Sequence, residues 1–419
     1  MHLRDGRRFD YRRGFRSDNR LAKILVLDGH SAAALAIVRS AGRAGHWVAV
    51  AANQGMFAAA KLSRFCRGSF DYPASTEDAD AFVEAVLELV RSHAIDLVVP
   101  VTDWTIGPMS MQRAKFSNLC RLALPSRAAL EAASDKYRTM QVAQSLGIQV
   151  PKSWLVESIP DLEGIEITDF PVVVKDRYSV RWSGPKAVLG SVTYAYSLSD
   201  LKEKAAERLR VVGDVLVQEF VEGVGIGFSC FVAEQRVSLP FEWQRIRETD
   251  PRGSGSSCRK SIALDQNLVS LSGRLISDIG FEGIAMVEYK KTNAGRLVLM
   301  EINGRPWGSI ALPIASGIDY PHYMIDWYLS ESHPPEHISY KAGVTCRRIV
   351  SELGHLSNLR AGKPAHWPGK YPQFWTSLVK MAIPWYPGMH YDDVWLSDLR
   401  PGLAEIGNWF RQRASRLRR

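Results

Sequence analysis

The chain has 419 residues, of which 46% are hydrophobic, enough for two to four domains with cores of their own. No run of about 18 apolar residues occurs, so no membrane-spanning helix is expected, and the basic start, with no apolar core in its first twenty residues, does not read as a signal peptide. The formal net charge of +9 resides in two tails, seven Arg against three Asp in residues 1–20 and five Arg with no acid in residues 410–419; this is not the broad basic face of a nucleic-acid binder.

The elements are predicted in chain order. The apolar run AKILVLDGH reads as a buried parallel strand entering a loop. SAAALAIVRSAGRAG (31–45) is a small-residue helix stopped by Gly45, and HWVAVAA (46–52) is a second strand. STEDADAFVEAVLELVRSHA (75–94) is an amphipathic helix with Ser75 and Asp78 spaced as a capping box, and IDLVVPV (95–101) is a further strand. This alternation predicts a doubly wound α/β unit. Its first turn, DGHSAAA, lacks the glycines of a dinucleotide-binding loop, which argues against NAD.

Two short helices, SRAALEAAS and DKYRTMQVAQSLG, are predicted over 126–147. A strand, DFPVVVKDRYS (169–179), carries a lysine near its end, and a helix (200–210) leads to the strand DVLVQEFVEG (214–223). A strand pair over 226–243 precedes QRIRETDPRGSGSSCRKS (244–261). That polar, basic stretch reads as a mobile loop, either a lid or a plain solvated segment. A helix (268–280) and the hairpin GIAMVEYKKTNAGRLVLMEIN (283–303), turning near Thr292–Gly295, complete the regular pattern. Beyond residue 330 a helical extension is expected.

Alternation along the last strand puts Leu297, Leu299, Glu301 and Asn303 on one face, with Val298, Met300 and Ile302 on the other. The turn position sets Glu288 near Leu299 and diagonal to Glu301. Two carboxylates on a half-buried sheet repel and resist desolvation. Either they emerge into solvent, or a cation sits between them. Two carboxylates and an amide oxygen suit Mg²⁺. Five cysteines, an odd number with no C-x-x-C spacing, argue against a disulfide framework and a zinc site, and a reducing cytoplasmic setting is expected.

Over residues 21–330 the chain resembles the ATP-grasp superfamily, similar to its carbamoyl-phosphate-synthase-type and carboxylate–amine ligase members. The resemblance rests on an ordered set: DK at 135–136 before a helix ending in SLGIQVP, PVVVK ending at Lys175, LVQEFVEG at 216–223, then MVEYK and MEINGRPWG. It implies a Rossmann-like pre-ATP-grasp domain (21–127) and a two-lobed α+β ATP-grasp domain (128–330, lobes about 128–212 and 213–330). A mostly helical C-terminal extension (331–419) would follow. Residues 1–20 would be a disordered basic tail, or lie upstream of the true start.

The same resemblance implies roles. Lys136 and Lys175 would hold ATP phosphates. Gln218, Glu219, Phe220 and Val221 would form the hinge against the adenine, with Gln218 or Glu219 reaching its amine, and Glu222 would be the nearby acid to substitute at the ribose. Glu288, Glu301 and Asn303 would coordinate Mg²⁺, for which Mn²⁺ is a substitute. Arg305 and Lys175 would act on the transferring phosphoryl group or the substrate carboxylate. The implied reaction activates a small-molecule carboxylate as an acyl phosphate for attack by an amine, releasing ADP and phosphate. Two positions depart from the family pattern: Gly225 stands where many members carry a ribose-binding acid, and RYSVRWSGPKAVLGS lacks a tight glycine cluster. These departures motivate an alternative, a catalytically silent ATP-binding or interaction module. The segment LAEIGNWFRQRASRLRR (403–419) can form a helix with Ile406, Trp409, Phe410 and Leu417 toward one side. It would either dock on the body or contact an anionic membrane surface.

Overall fold

The computed structural model describes residues 21–417. The expectation for residues 1–20 lies outside it. The first unit contains β1 (Lys23–Val26), α1 (Ala32–Arg43), β2 (Trp47–Asn53), β3 (Cys66–Tyr72), α2 (Ala79–His93), β4 (Leu97–Val99), α3 (Asp103–Met111) and β5 (Arg121–Leu122). Its five strands pair in parallel in the order β3-β2-β1-β4-β5. Ile24 and Val26 pack with α1 on one face, while Leu25 and Leu27 pack with α2 on the other. That two-sided burial explains why β1 reads as a continuous apolar run. Asp78 caps α2, accepting from the N–H groups of Asp80 and Ala81. The predicted capping box with Ser75 does not form, because the chain turns at 75–77 before the helix begins.

Two helices, α4 (Arg127–Ser134) and α5 (Lys136–Ser145), lead to a small antiparallel sheet. Its strands are β6 (Ser153–Val156) and β7 (Val172–Asp176), then, after a separate hairpin of β8 (Val180–Ser183) and β9 (Lys186–Leu189), β10 (Val192–Ala195) and, following α6 (Leu198–Val212), β11 (Val215–Glu219). The order is β10-β7-β11-β6.

The large sheet begins with β12 (Val224–Ala233), β13 (Arg236–Glu248) and β14 (Ser256–Ile262). After α7 (Gln266–Asp278) come β15 (Gly283–Lys291) and β16 (Leu297–Asn303). The chain continues through α8 (Ala311–Ser316), α9 (Tyr320–Ser330), β17 (Thr345–Arg347), α10 (Ile349–Ala361), α11 (Phe374–Ala382), β18 (Met389–Tyr391) and α12 (Arg400–Leu417). The seven-stranded order β16-β15-β12-β13-β14-β17-β18 shows that residues beyond 330 supply two strands as well as helices. No helix among the described residues is long and apolar enough to cross a membrane.

Residues 244–261 are not a free loop. They form the distal part of β13 and most of β14, joined by a short turn. Their arginines are ion-paired: Arg247 with Glu352 of α10 at 2.6 Å, and Arg259 with Asp392 at 2.6 Å. A β-hairpin with Gly, Ser and Pro only at its tip resembles a loop in composition, but its strand residues find partners far along the chain.

The extension is stitched to the first unit through Arg39 of α1. This fully buried guanidinium donates to Asp398 Oδ2 at 2.9 Å and to the carbonyls of Asp392, Asp393 and Asp398. Removing one side of a buried ion pair leaves an uncompensated charge. Arg39→Ala is therefore expected to lower stability by about 3–5 kcal/mol in urea unfolding; a loss under about 1 kcal/mol, the range of an exposed pair, would contradict this role.

Candidate active site

The site forms where the ends of β15, β16, β7 and α5 meet the loop after β4. In a doubly wound sheet, the loops beyond the strand C-termini gather ligands. Here Asp28, at the end of β1, accepts from the N–H groups of Val101 (3.1 Å) and Thr102 (2.7 Å) and from Thr105 Oγ1 (2.6 Å). These bonds fix the start of α3 and deliver Asp103 to Arg305, whose Nε lies 2.8 Å from the Asp103 carboxylate.

Glu288 and Glu301 are direct register partners across the β15–β16 pair. The sequence reading placed them diagonally, with Glu301 sharing a face with Leu299. A register shift beyond Glu288 and Tyr289 leaves Met300 as an extra residue. This bulge reverses the alternation: Leu299 packs in the same core as Ile302, and Glu301 faces the opposite side.

Two like charges roughly 5 Å apart repel by about 3 kcal/mol at an effective dielectric of about 20. Cations from four elements answer this. Burial pushes the Glu301 carboxyl up, but Lys136, Lys175, the Asn303 amide and Arg305 together bring it below the usual carboxylate value. Asn303 Nδ2 donates to Glu301 Oε1 at 3.3 Å. Burial raises Glu288, with repulsion from Glu301 adding to it, and the contact with Arg245 only partly offsets the rise.

Lys175 is buried on the central strand β7, opposite Leu216 of β11. Burial lowers its ammonium to about 8, against the pull of Glu301. Lys136 opens α5, its helix capped by Asp135, which also accepts from Arg177 (2.6 Å) and Tyr178 (3.1 Å). Lys136 Nζ lies 3.0 Å from Ser179 Oγ, and burial lowers its ammonium as well. A cleft runs from Lys136, Glu301, Asn303 and Arg305 to α3 and α4, where Asp103, Ser110, Arg127 and Glu131 line it. The β8–β9 hairpin covers it. Ala187 N–H donates to Thr76 O and Pro185 O accepts from Ala79 N–H, both at 2.9 Å, so the hairpin spans from the small sheet to the first unit. Trp182 packs closely on Gly107, where a Cβ would collide with its indole. The segment after Lys175 is thus ordered by a hairpin and a tryptophan where a glycine cluster was missing.

The predicted hinge residues do not line that cleft. Gln218 is buried and its amide donates to Ser153 Oγ at 2.7 Å, so its side chain points back into the small sheet. Glu219 N–H donates to Lys152 O at 2.9 Å. Phe220 sits edge-on to Trp367 (5.1 Å between rings) and Tyr194 (6.1 Å). Lys290 donates to Val221 O at 2.8 Å, and Glu222 accepts from Lys370 N–H at 3.2 Å. Trp367 and Lys370 come from the extension, which therefore clasps residues 220–222.

Arg245 is the site residue that sequence reasoning missed, having been counted among the lid arginines. It contacts Glu288, pairs with Glu248 at 2.9 Å and donates to Ser254 O at 2.8 Å. Its path explains Gly225: a Cβ there would stand 2.5 Å from Arg245 Cδ. The missing acid and the arginine are thus one arrangement. The signal in the sequence was the pair of small residues, Gly225 and Gly227, on β12, which marks close approach by neighbouring side chains; Trp243 crosses Gly227 in the same way.

The donor set was compared with what a divalent cation needs. Among the described residues no group of three or more His, Cys, Asp or Glu is arranged to hold a metal ion by itself. Two opposed carboxylates and one amide fit a hard cation whose remaining ligands are phosphate oxygens and water.

Residues 212–351 match a family described as an ATP-grasp in the biosynthetic pathway with Ter operon. The chain is 27% identical over 184 residues to a D-alanine–D-alanine ligase of Pseudomonas putida, which covers 42% of this chain and 55% of that protein. The chain thus spans little more than half the length of this relative. Among solved structures, the L-amino acid ligase of Bacillus licheniformis superposes with a TM-score of 0.57 at 16% identity, over 74% of this chain and 75% of the other. The biotin carboxylase domain of Hydrogenobacter thermophilus 2-oxoglutarate carboxylase, solved with MgADP, gives 0.63 at 13% identity, over 78% and 74%.

Two outcomes follow from this geometry. If Lys175 holds phosphate beside the cleft, as the resemblance implies, binding is best while its ammonium is protonated, so affinity for tripolyphosphate is expected to fall as pH rises through about 8. Calorimetry from pH 6.5 to 9.5 checks it, and Lys175→Gln, weaker at every pH, has to flatten the profile. Gly225→Ala forces Arg245 off its path, with an expected cost of about 1–3 kcal/mol in thermal or urea unfolding; a variant as stable as wild type contradicts the packing described.

Proposed function

We propose that the chain is an ATP-grasp protein, an ATP- and Mg²⁺-dependent ligase joining a small-molecule carboxylate to an amine. One observation carries the reading: Lys136, Lys175 and Arg305, from three separate elements, converge on Glu301 at the end of β16. Asp103 balances Arg305, but two further lysine charges beside one carboxylate still exceed what that carboxylate requires. They suit a site that must also neutralise transferring phosphate.

In the proposed reaction a substrate carboxylate oxygen attacks the γ-phosphorus of ATP, and the bond to the bridging oxygen breaks as ADP leaves. The amine nitrogen then attacks the acyl carbon, phosphate departs, and the nitrogen loses a proton. Lys136 and Lys175 hold phosphate oxygens as charged donors. Arg305, oriented by Asp103, faces the γ-phosphoryl group and the carboxylate that receives it. Glu288, Glu301 and Asn303 would hold Mg²⁺, which supplies charge neutralisation between nucleotide phosphates and protein. The main chain of residues 219–222 borders the adenine. The β8–β9 hairpin excludes water from the acyl phosphate, and the walls from α3 and α4, with Arg127 and Glu131, receive the carboxylate and the amine.

The contact of Arg245 with Glu288 favours a second reading, a nucleotide-binding module without turnover, because an arginine already balances one carboxylate of the pair. ADP release from Mg-ATP in a pooled extract of small metabolites separates the two. The ligase reading predicts pool-dependent ADP formation by wild type and a loss of at least about 100-fold in Glu301→Ala, typical of removing a group that acts in the transition state. Tight ATP binding without ADP formation in any pool fraction supports the module instead.

A further inference from the structure

The segment between α10 and β18 presents apolar side chains outward. Trp375 and Val379 of α11 lie four residues apart, on one helix face, and are 73% and 67% exposed, while Ser377 is buried behind them. The chain then turns out Ile383, Trp385 and Tyr386, with Trp385 63% exposed. Single exposed apolar residues are ordinary; two tryptophans, a tyrosine and two aliphatic residues within one short segment are not.

This surface is held in place from beneath. Buried Arg347 donates to Ile383 O and Met381 O, each at 2.8 Å, and the Tyr391 hydroxyl donates to Pro384 O. The main chain is thus pinned by its carbonyls while the apolar side chains point away from the body.

Charge identifies what covers it. From residue 353 to residue 391 there is no Asp or Glu, and Arg360, Lys363, Lys370 and Lys380 are all exposed. A second copy docked two-fold on this face would set the same cations against one another. An anionic lipid surface instead takes indole and phenol rings at headgroup depth, aliphatic side chains just below, and lysines on its phosphates. We propose that residues 374–387 are a membrane-contact element that seats the protein on an anionic bilayer surface. A single weak signal gives only marginal membrane binding, and α12 offers a second one. It packs on α10, as α11 does, and carries exposed Arg411 and Arg413. The apolar part of that helix is partly satisfied within itself, since Trp409 lies under Arg413 and against Phe410. Insertion therefore falls to α11 and the turn after it.

Co-sedimentation tests this with vesicles of 70% phosphatidylcholine and 30% phosphatidylglycerol, against phosphatidylcholine alone, at about physiological salt. Wild type should partition at least about tenfold more strongly to the anionic vesicles. Trp375→Ser combined with Trp385→Ser should lose at least about tenfold of that binding, with an unchanged unfolding midpoint. Three results would overturn the proposal: no partitioning by wild type, full partitioning by the double variant, or a dimer in light scattering that the double variant dissociates, which would assign the face to a second copy.

Discussion

Glu288 and Glu301 face one another across a hydrogen-bonded strand pair, and the architecture around them exists to make that arrangement tolerable. Arg245 reaches Glu288 from β13, Lys175 comes from the small sheet, and Lys136 comes from the N-terminus of α5. Arg305, directly after β16, is steered by Asp103 from the first unit. Each cation is delivered by a different part of the chain, so the site assembles only when the units are packed together. The carboxylates are therefore more than products of the hairpin that carries them. They are the point on which the three sheets converge.

The C-terminal residues serve this convergence. β17 and β18 extend the large sheet, and Arg39 holds the turn after β18 against α1. Trp367 packs on Phe220 and Lys370 N–H donates to Glu222, while Asn358 and His355 of α10 hold the tip of the β13–β14 hairpin through Thr249 O and Glu248 O. Arg245 lies on that hairpin, so the extension acts on Glu288 through it. The same extension offers the outward-facing tryptophans, which links the proposed lipid contact to the frame of the site.

Much of this was legible locally. The alternation of strands and helices in the first unit and the hairpin ending in MEIN carry their signal within a few residues, whereas Lys136 and Lys175 stand out only within the ordered set of motifs. Features that depend on one residue or on distant partners were not legible. The bulge at Met300 decides which face Glu301 takes, and no composition marks it. β3 alternates cleanly, with Cys66, Gly68, Phe70 and Tyr72 set against Arg67, Ser69 and Asp71, yet it is mostly polar and escaped notice. α3 contains Gly107 and Pro108 within only nine residues, which hides a helix that supplies Asp103. Arg247 and Arg259 looked solvated because their acids lie 105 and 133 residues away. Gly225 looked like a loss until Arg245 was seen to need its space.

On the proposed reading, the two carboxylates hold a metal–nucleotide complex together, with Glu288, Glu301 and Asn303 as the groups that would hold Mg²⁺ beside the phosphates. Calorimetry with a non-hydrolysable ATP analogue, with Mg²⁺ and with EDTA, tests it most directly. The account predicts at least about tenfold tighter binding with Mg²⁺, a difference that Glu288→Gln and Glu301→Gln each largely remove. Equal affinity with and without Mg²⁺ in the wild type would contradict it.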